Sequence, residues 1–222
     1  MKKSGEMKLR TCTGVPGADM IVNGRLIRAH NYLLSGVAGC GKTIFSLQSL
    51  RDGLSHGEMC TYIKLAEPAN EIAANVTAFG WDLDGVDVIG LSPSGEELDE
   101  YQVFAPSEVE GRPLAHIHKL TAYLSRKVVS TFLIHETEYI TDSSLRATDI
   151  GISHLADNIL LLRYAEMFGR VAKVVGCLKK RVCSFQPVLR ELSTTENGIS
   201  VGHKLENMQG LLTGVPTILR AA

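Results

Sequence analysis

Aromatic residues are scarce in this chain, at 6% of 222 residues with one tryptophan. Tyr62, Tyr101, Tyr123, Tyr139 and Tyr164 stand apart, so no run of rings offers a stacking platform for single-stranded nucleic acid. An excess of one charge is missing too. The formal net charge is −1 and no long basic run occurs, which argues against nucleic acid as the main partner. The five cysteines (Cys12, Cys40, Cys60, Cys177 and Cys183) include no C-x-x-C pair. Neither a disulfide framework nor a zinc site is indicated, and reduced thiols of a cytoplasmic protein fit best. The most apolar segment, residues 159–162, is far too short to cross a bilayer. Residues 1–8 are charged without an apolar run behind them, which is not the pattern of a secretory signal. What is present is 45% hydrophobic residues, enough for a single domain over residues 1–222 with a full core.

Against this even background one stretch stands out. Gly36-Val37-Ala38-Gly39-Cys40-Gly41-Lys42-Thr43 has the form G-x-x-x-x-G-K-T. Glycines let the backbone curl so that several N–H groups face one anion, and a lysine adds positive charge. The threonine hydroxyl suits Mg²⁺, and a helix that follows turns its N-terminus toward the phosphates. The flanks agree, because Tyr32-Leu33-Leu34 is a short apolar run and Ile44, Leu47 and Leu50 recur at helical spacing. These eight residues are the candidate nucleotide site. Cys40 lies inside the loop near a helix N-terminus, a place that tends to lower a thiol pKa. A small residue filling a variable position explains it more simply.

Strands and helices alternate beyond a turn-rich start. The pattern predicts strands at 32–35, 59–65, 86–91 and 128–135, and helices at 43–53, 67–79 and 114–126. Residues 92–110 are acidic, with Pro93, Gly95 and Pro106, and read as a loop. After Asp157 short strands follow at 158–164, 172–178, near 188–192 and at 199–201. The expected fold is α/β: a mostly parallel sheet flanked by helices, with an antiparallel C-terminal extension.

Six short motifs in order carry a resemblance. They are Thr13-Gly14-Val15-Pro16-Gly17-Ala18-Asp19 leading into the phosphate loop, Phe79-Gly80-Trp81, and Ala156-Asp157-Asn158-Ile159-Leu160-Leu161-Leu162. Leu178-Lys179-Lys180-Arg181, Leu189-Arg190-Glu191-Leu192 and Thr213-Gly214-Val215-Pro216-Thr217 complete the set. Together they resemble the KaiC-type circadian clock ATPases and autokinases of the RecA-like P-loop superfamily, above all the second of the family's tandem domains. The resemblance implies a cytoplasmic signalling ATPase that holds ATP and Mg²⁺ between the subunits of a homohexameric ring, with signalling proteins as further partners. Lys42 and Thr43 would act on phosphate and metal in one subunit, and Lys179 and Arg181 would reach the nucleotide from its neighbour. An arginine presented in this way stabilises charge on a transferring phosphoryl group.

Three departures bear on activity. The family's paired glutamates are matched by Ala66-Glu67, which leaves Glu67 as the catalytic base; capping the helix before Pro68 is its structural alternative. No apolar run ending in aspartate occurs between residues 92 and 140, so the magnesium-positioning strand of the family has no counterpart. The adjacent phosphate acceptors of the family fall on Ser153 and His154, so Ser153 alone is the candidate phosphorylation site. Two other readings stand beside the ATPase and autokinase: a nucleotide-sensing scaffold subunit without turnover, and a RecA-type DNA-binding ATPase. His116-x-His118 and His135-Glu136 lack metal-ligand spacing, and structural roles suffice for them.

Overall fold

The protein is described from a computed structural model over residues 10–64, 69–90, 112–137, 152–181, 184–206, 208–213 and 217–218. In chain order the strands are β1 (Arg10–Thr11), β2 (Leu26–Ile27), β3 (Asn31–Gly36), β4 (Cys60–Lys64), β5 (Val86–Gly90), β6 (Thr131–Glu136), β7 (Asn158–Met167), β8 (Arg170–Lys180), β9 (Arg190–Thr195), β10 (Gly198–Lys204), β11 (Met208–Gln209) and β12 (Thr217–Ile218). The helices are α1 (Ala18–Ile21), α2 (Lys42–Ser55), α3 (Ala69–Ala78) and α4 (Arg112–Arg126).

Strand β3 is buried at every position, as its apolar sequence demands of a strand covered on both faces. It pairs in parallel with β6 on one side and β7 on the other. From β7 the sheet continues antiparallel through β8, β9 and β10, giving the order β10-β9-β8-β7-β3-β6. Side chains alternate across β3. Tyr32 and Leu34 join Phe45 of α2, Leu160, Leu162 and Val175 on one face, while Leu33 packs with Ile152, Leu155 and Ile159 on the other. Phe132 meets the rings of Tyr32 at 5.5 Å and Phe45 at 6.1 Å between centroids, which binds α2 to the sheet.

The Thr13…Asp19 motif is a strap that fixes this arrangement. Asp19 Oδ1 accepts from the Thr13 N–H at 2.9 Å, and the Ser49 hydroxyl donates to the Thr13 carbonyl. Gln48 of α2 donates to the carbonyls of Gly14 and Ile199, each at 3.2 Å, and accepts from Ile199 N–H at 3.0 Å. A Cβ at Gly17 would lie 2.1 Å from the Val201 carbonyl oxygen, so only glycine lets the strap press on β10.

The α/β class, the parallel strands around β3 and the antiparallel C-terminal extension agree with expectation. The balance differs: the six-stranded sheet is mixed, and its antiparallel pairs outnumber its parallel ones. The reason is that β4 and β5 form a parallel pair of their own. Among the described residues β6 pairs only with β3, and β4 only with β5. Helix α2 packs against both sets, through Phe45 toward β3 and through Leu47 toward Tyr62 and Ile72. Among the described residues the parallel strands thus lie under one helix in two groups that no strand joins. The expected strand at 128–135 begins instead at Thr131, because Val128 takes φ 63° and its N–H bonds back to Ser125 at the end of α4.

The small pair has less to hold it, since Ile63, Val88 and Ile89 are exposed. Local opening follows the density of buried contacts. The amides of β4 and β5 are expected to exchange with deuterium through a lower-energy opening than those of β3 and β7; equal protection, measured by hydrogen-exchange mass spectrometry, would refute the division.

Candidate functional site

The phosphate loop begins where β3 meets a steric limit. A Cβ at Gly36 would lie 2.2 Å from the Leu162 carbonyl oxygen and 2.8 Å from Cys40 Sγ. The Gly36 carbonyl accepts from Thr137 N–H at 3.0 Å, so the end of β6 is tied to the start of the loop. At the other end Gly41 takes φ +107° and caps α2; that left-handed turn is what aims the first helical N–H groups into the loop. Val37, Ala38, Gly39 and Cys40 form the curl between, and Thr43 is half-buried in the first turn of α2.

Lys42 curls back over this loop and is 6% exposed. Its Nζ donates to the Val37 carbonyl at 2.7 Å, sits 3.9 Å from Cys40 Sγ, and lies 3.4 Å from Glu136 Oε2. A buried ammonium held by one carbonyl, beside backbone N–H groups at a helix start, is the donor set that a phosphate needs. Cys40 is fully buried. Burial pushes its thiol above the usual range, outweighing the pull of Lys42, so the pKa-lowering tendency of a helix N-terminus is overruled and Cys40 is packing.

Sequence reasoning met Glu136 only in the pair His135-Glu136 and set it aside for want of metal-ligand spacing. It closes β6, opposite Gly36 in the parallel register, and its side chain is exposed apart from the approach to Lys42. The signal was an apolar strand, Phe132-Leu133-Ile134, ending in an acid. A search for aspartate alone passes over it.

The other predicted residues lie elsewhere. Ala66 and Glu67 fall outside the described residues. Ser153, Lys179 and Arg181 gather at the opposite end of β3, beside its first residue. Asp157 organises this end: its carboxylate accepts from Asn31 N–H at 3.0 Å and from Arg181 Nη1 at 3.4 Å. Lys179 Nζ donates to the carbonyls of Ser153 (2.9 Å) and Ala156 (2.8 Å). Burial, and then the charge of Arg181, lower the Lys179 pKa. Arg181 and His154 line a pocket of about 360 Å³ with His30, Asn31, His118 and Asp157. With about 3.3 Å of rise per residue, the length of β3 puts this cluster roughly 16 Å from the phosphate loop. The structure therefore brings the eight loop residues together and keeps Ser153, Lys179 and Arg181 away from them in the same chain.

A family model described as "ATPase: KaiC" matches residues 11–91, from the strap through the loop to β5. Similarity extends further along the chain. The circadian clock protein KaiC3 of Synechocystis sp. is 25% identical over 237 residues, covering 94% of this chain and 46% of the relative. The likeness is to proteins of the KaiC type. The circadian clock oscillator proteins KaiC of Thermostichus vulcanus and Acaryochloris marina are 24% and 22% identical, each over 94% of this chain and 45% of their own length. The chain thus spans about half the length of the curated relatives it matches. The 237 aligned positions exceed its 222 residues, so the KaiC3 relative carries positions that this chain lacks. Among the described residues no helix is long and apolar enough to cross a membrane.

Gly36→Ala is expected to cost about 2 kcal/mol or more of folding stability, because the added methyl meets backbone that cannot yield; an unchanged urea midpoint would show that β7 can move aside. In the native protein Cys12 is expected to alkylate before the fully buried Cys40. Peptide mapping after a timed iodoacetamide pulse reads the order.

Proposed function

We propose that the protein is an ATP-binding KaiC-like subunit that assembles with copies of itself, the phosphate loop of one chain meeting Lys179 and Arg181 of the next. The observation that carries this reading is the separation of the two clusters along β3. A loop fit for phosphate stands at one end of the strand, and a cationic cluster with an exposed arginine stands at the other. One chain cannot fold its own Arg181 onto its own loop in this arrangement, whereas a neighbour presented head to tail could.

The residues present fit Mg·ATP. Gly36–Thr43 supplies backbone N–H donors, Lys42 a buried cation and Thr43 a hydroxyl, and bound Mg²⁺ would neutralise charge on the phosphates. Within this reading Lys42 exchanges its bond to the Val37 carbonyl for phosphate oxygen. Glu67 is the base retained from the family's pair. Ser153 is a phosphate acceptor for the loop of a neighbouring chain, since its own loop lies at the far end of the sheet. ATP hydrolysis and autophosphorylation in a hexameric cytoplasmic signalling protein are the full form of the proposal.

A second reading has a specific observation behind it. Among the described residues no strand joins β6 to β4, which favours a nucleotide-sensing subunit in which ATP promotes assembly without turnover. One experiment separates them: ATP hydrolysis by the purified protein and by Lys42→Ala, with size-exclusion chromatography with and without Mg·ATP. Turnover of about 1 s⁻¹ or slower, below the usual median for enzymes, and its loss in the variant would support the ATPase. ATP-dependent assembly without turnover would support the scaffold. Neither effect would sink both.

A further inference from the structure

Where β3 and β7 begin, three side chains carry polar atoms that the fold leaves unpaired among the described residues. Asn31, the first residue of β3, is 7% exposed, and its Oδ1 has no hydrogen-bond partner. The same holds for His30 Nδ1 and for both polar atoms of Asn158, which is fully buried at the start of β7. Buried polar groups are paired as a rule, with protein, water or a bound molecule. Several unpaired ones in one place therefore point to something that binds there. His30 and Asn31 line the pocket of about 360 Å³, which His118 walls from α4 and His154, Asp157 and Arg181 from the strand ends beside it. That volume is many times what one water needs and falls in the range of small-molecule sites.

The pocket is rich in N–H donors, and its one carboxylate is spent. Asp157 Oδ2 accepts from Asn31 N–H at 3.0 Å, and Oδ1 accepts from Arg181 Nη1 at 3.4 Å. A guanidinium carries five N–H donors, and that single long contact is the one side-chain bond of Arg181 among the described residues. The rings of His118 and His154 stand 6.5 Å apart between centroids, both residues are exposed, and each ring offers an N–H.

We propose that this pocket binds a small phosphorylated molecule within one chain. Arg181 and the imidazoles of His118 and His154 meet the phosphoryl oxygens, and Asn31 and His30 meet polar groups on the rest of the molecule. A phosphate takes several donors at once and holds charged ones most strongly. The terminal torsions of asparagine and histidine are soft, so a small turn brings Asn31 or His30 onto the ligand. The site stands at the opposite end of β3 from the phosphate loop and needs neither that loop nor a neighbouring chain. It shares Arg181 with the head-to-tail contact proposed above, whereas His30, Asn31, His118 and His154 belong to it alone.

Inorganic phosphate and glycerol 3-phosphate are the probes, titrated into the full chain while NMR follows the imidazole signals of His30, His118 and His154. Lys42→Ala removes the cation of the phosphate loop, so binding there is lost in this variant and binding in the pocket is kept. Glycerol 3-phosphate is expected to shift the three signals together in wild type and in Lys42→Ala, with a Kd of about 1 mM or tighter. Inorganic phosphate should bind more weakly, because it leaves Asn31 and His30 unmet. The double variant His118→Gln/His154→Gln is expected to weaken binding roughly tenfold or more, the scale of hydrogen bonds to a charged group. Both side chains are exposed, so the fold should hold, and thermal unfolding checks this. Shifts that vanish in Lys42→Ala would put the ligand on the phosphate loop and overturn the proposal. Equal affinity in the double variant would do the same, and so would the absence of any shift with either probe at about 10 mM, which would leave the pocket to water.

Discussion

Everything at the site depends on β3 being hydrogen-bonded on both edges and buried on both faces. A phosphate loop works only if its backbone N–H groups are held in position before the anion arrives, because a loop that must be ordered on binding spends affinity on its own entropy. Here the strand leading into the loop cannot shift. Leu162 blocks any side chain at Gly36, Thr137 bonds to the carbonyl of Gly36, and Phe45 anchors the helix leaving the loop to Phe132. Lys42 then has one place to go, and its bond to Val37 closes the curl.

The same strand explains why the cationic cluster stands where it does. Asp157 receives the N–H of Asn31 at the start of β3 and the guanidinium of Arg181. The motif around Asp157 therefore fixes the strand's beginning in the way that the loop fixes its end. Lys179 is spent on carbonyls of its own chain, and burial disfavours its charge. Arg181, half exposed and joined to Asp157 by one long contact, is the freer of the two. If a neighbouring nucleotide is reached from this end, the guanidinium is the group with the latitude to reach it, and the lysine is better described as bracing the turn that carries Ser153.

Much of this was legible in the sequence because it rests on local rules. Glycine spacing announced the loop, the apolar run 32–34 announced a buried strand, and the 3.6-residue period of Ile44, Leu47 and Leu50 announced α2. The ordered motifs pointed to the family before any geometry was known. What escaped was decided by pairing across long separations. Nothing local to residues 131–136 says that their strand lies beside β3, because that depends on which strands are present to compete for the edge. Consequently Glu136 looked like half of an incomplete metal motif. The lowered thiol pKa that a helix N-terminus suggested for Cys40 failed for a related reason: burial by β7 and β10 is a tertiary fact, and it outweighs the helix and Lys42 together. Glu67 lies outside the described residues, so its role as base rests on the resemblance alone.

Among the described residues β4 and β5 are not joined to the sheet that carries the loop, which raises the question of how the loop keeps its form. The contacts that shape the loop answer it. Gly36 is limited by β7, tied to β6 and continued into α2, and the strap at Thr13–Asp19 reaches α2 and β10. All of these lie within the six-stranded sheet and its covering helix. The β4–β5 pair touches α2 farther along, at Leu47 and Leu50, on the far side of Phe45 from the loop. The lack of a join between β6 and β4 among the described residues therefore leaves in place every contact that defines the loop's curl. The loop and the contacts that shape it lie on one side of that gap.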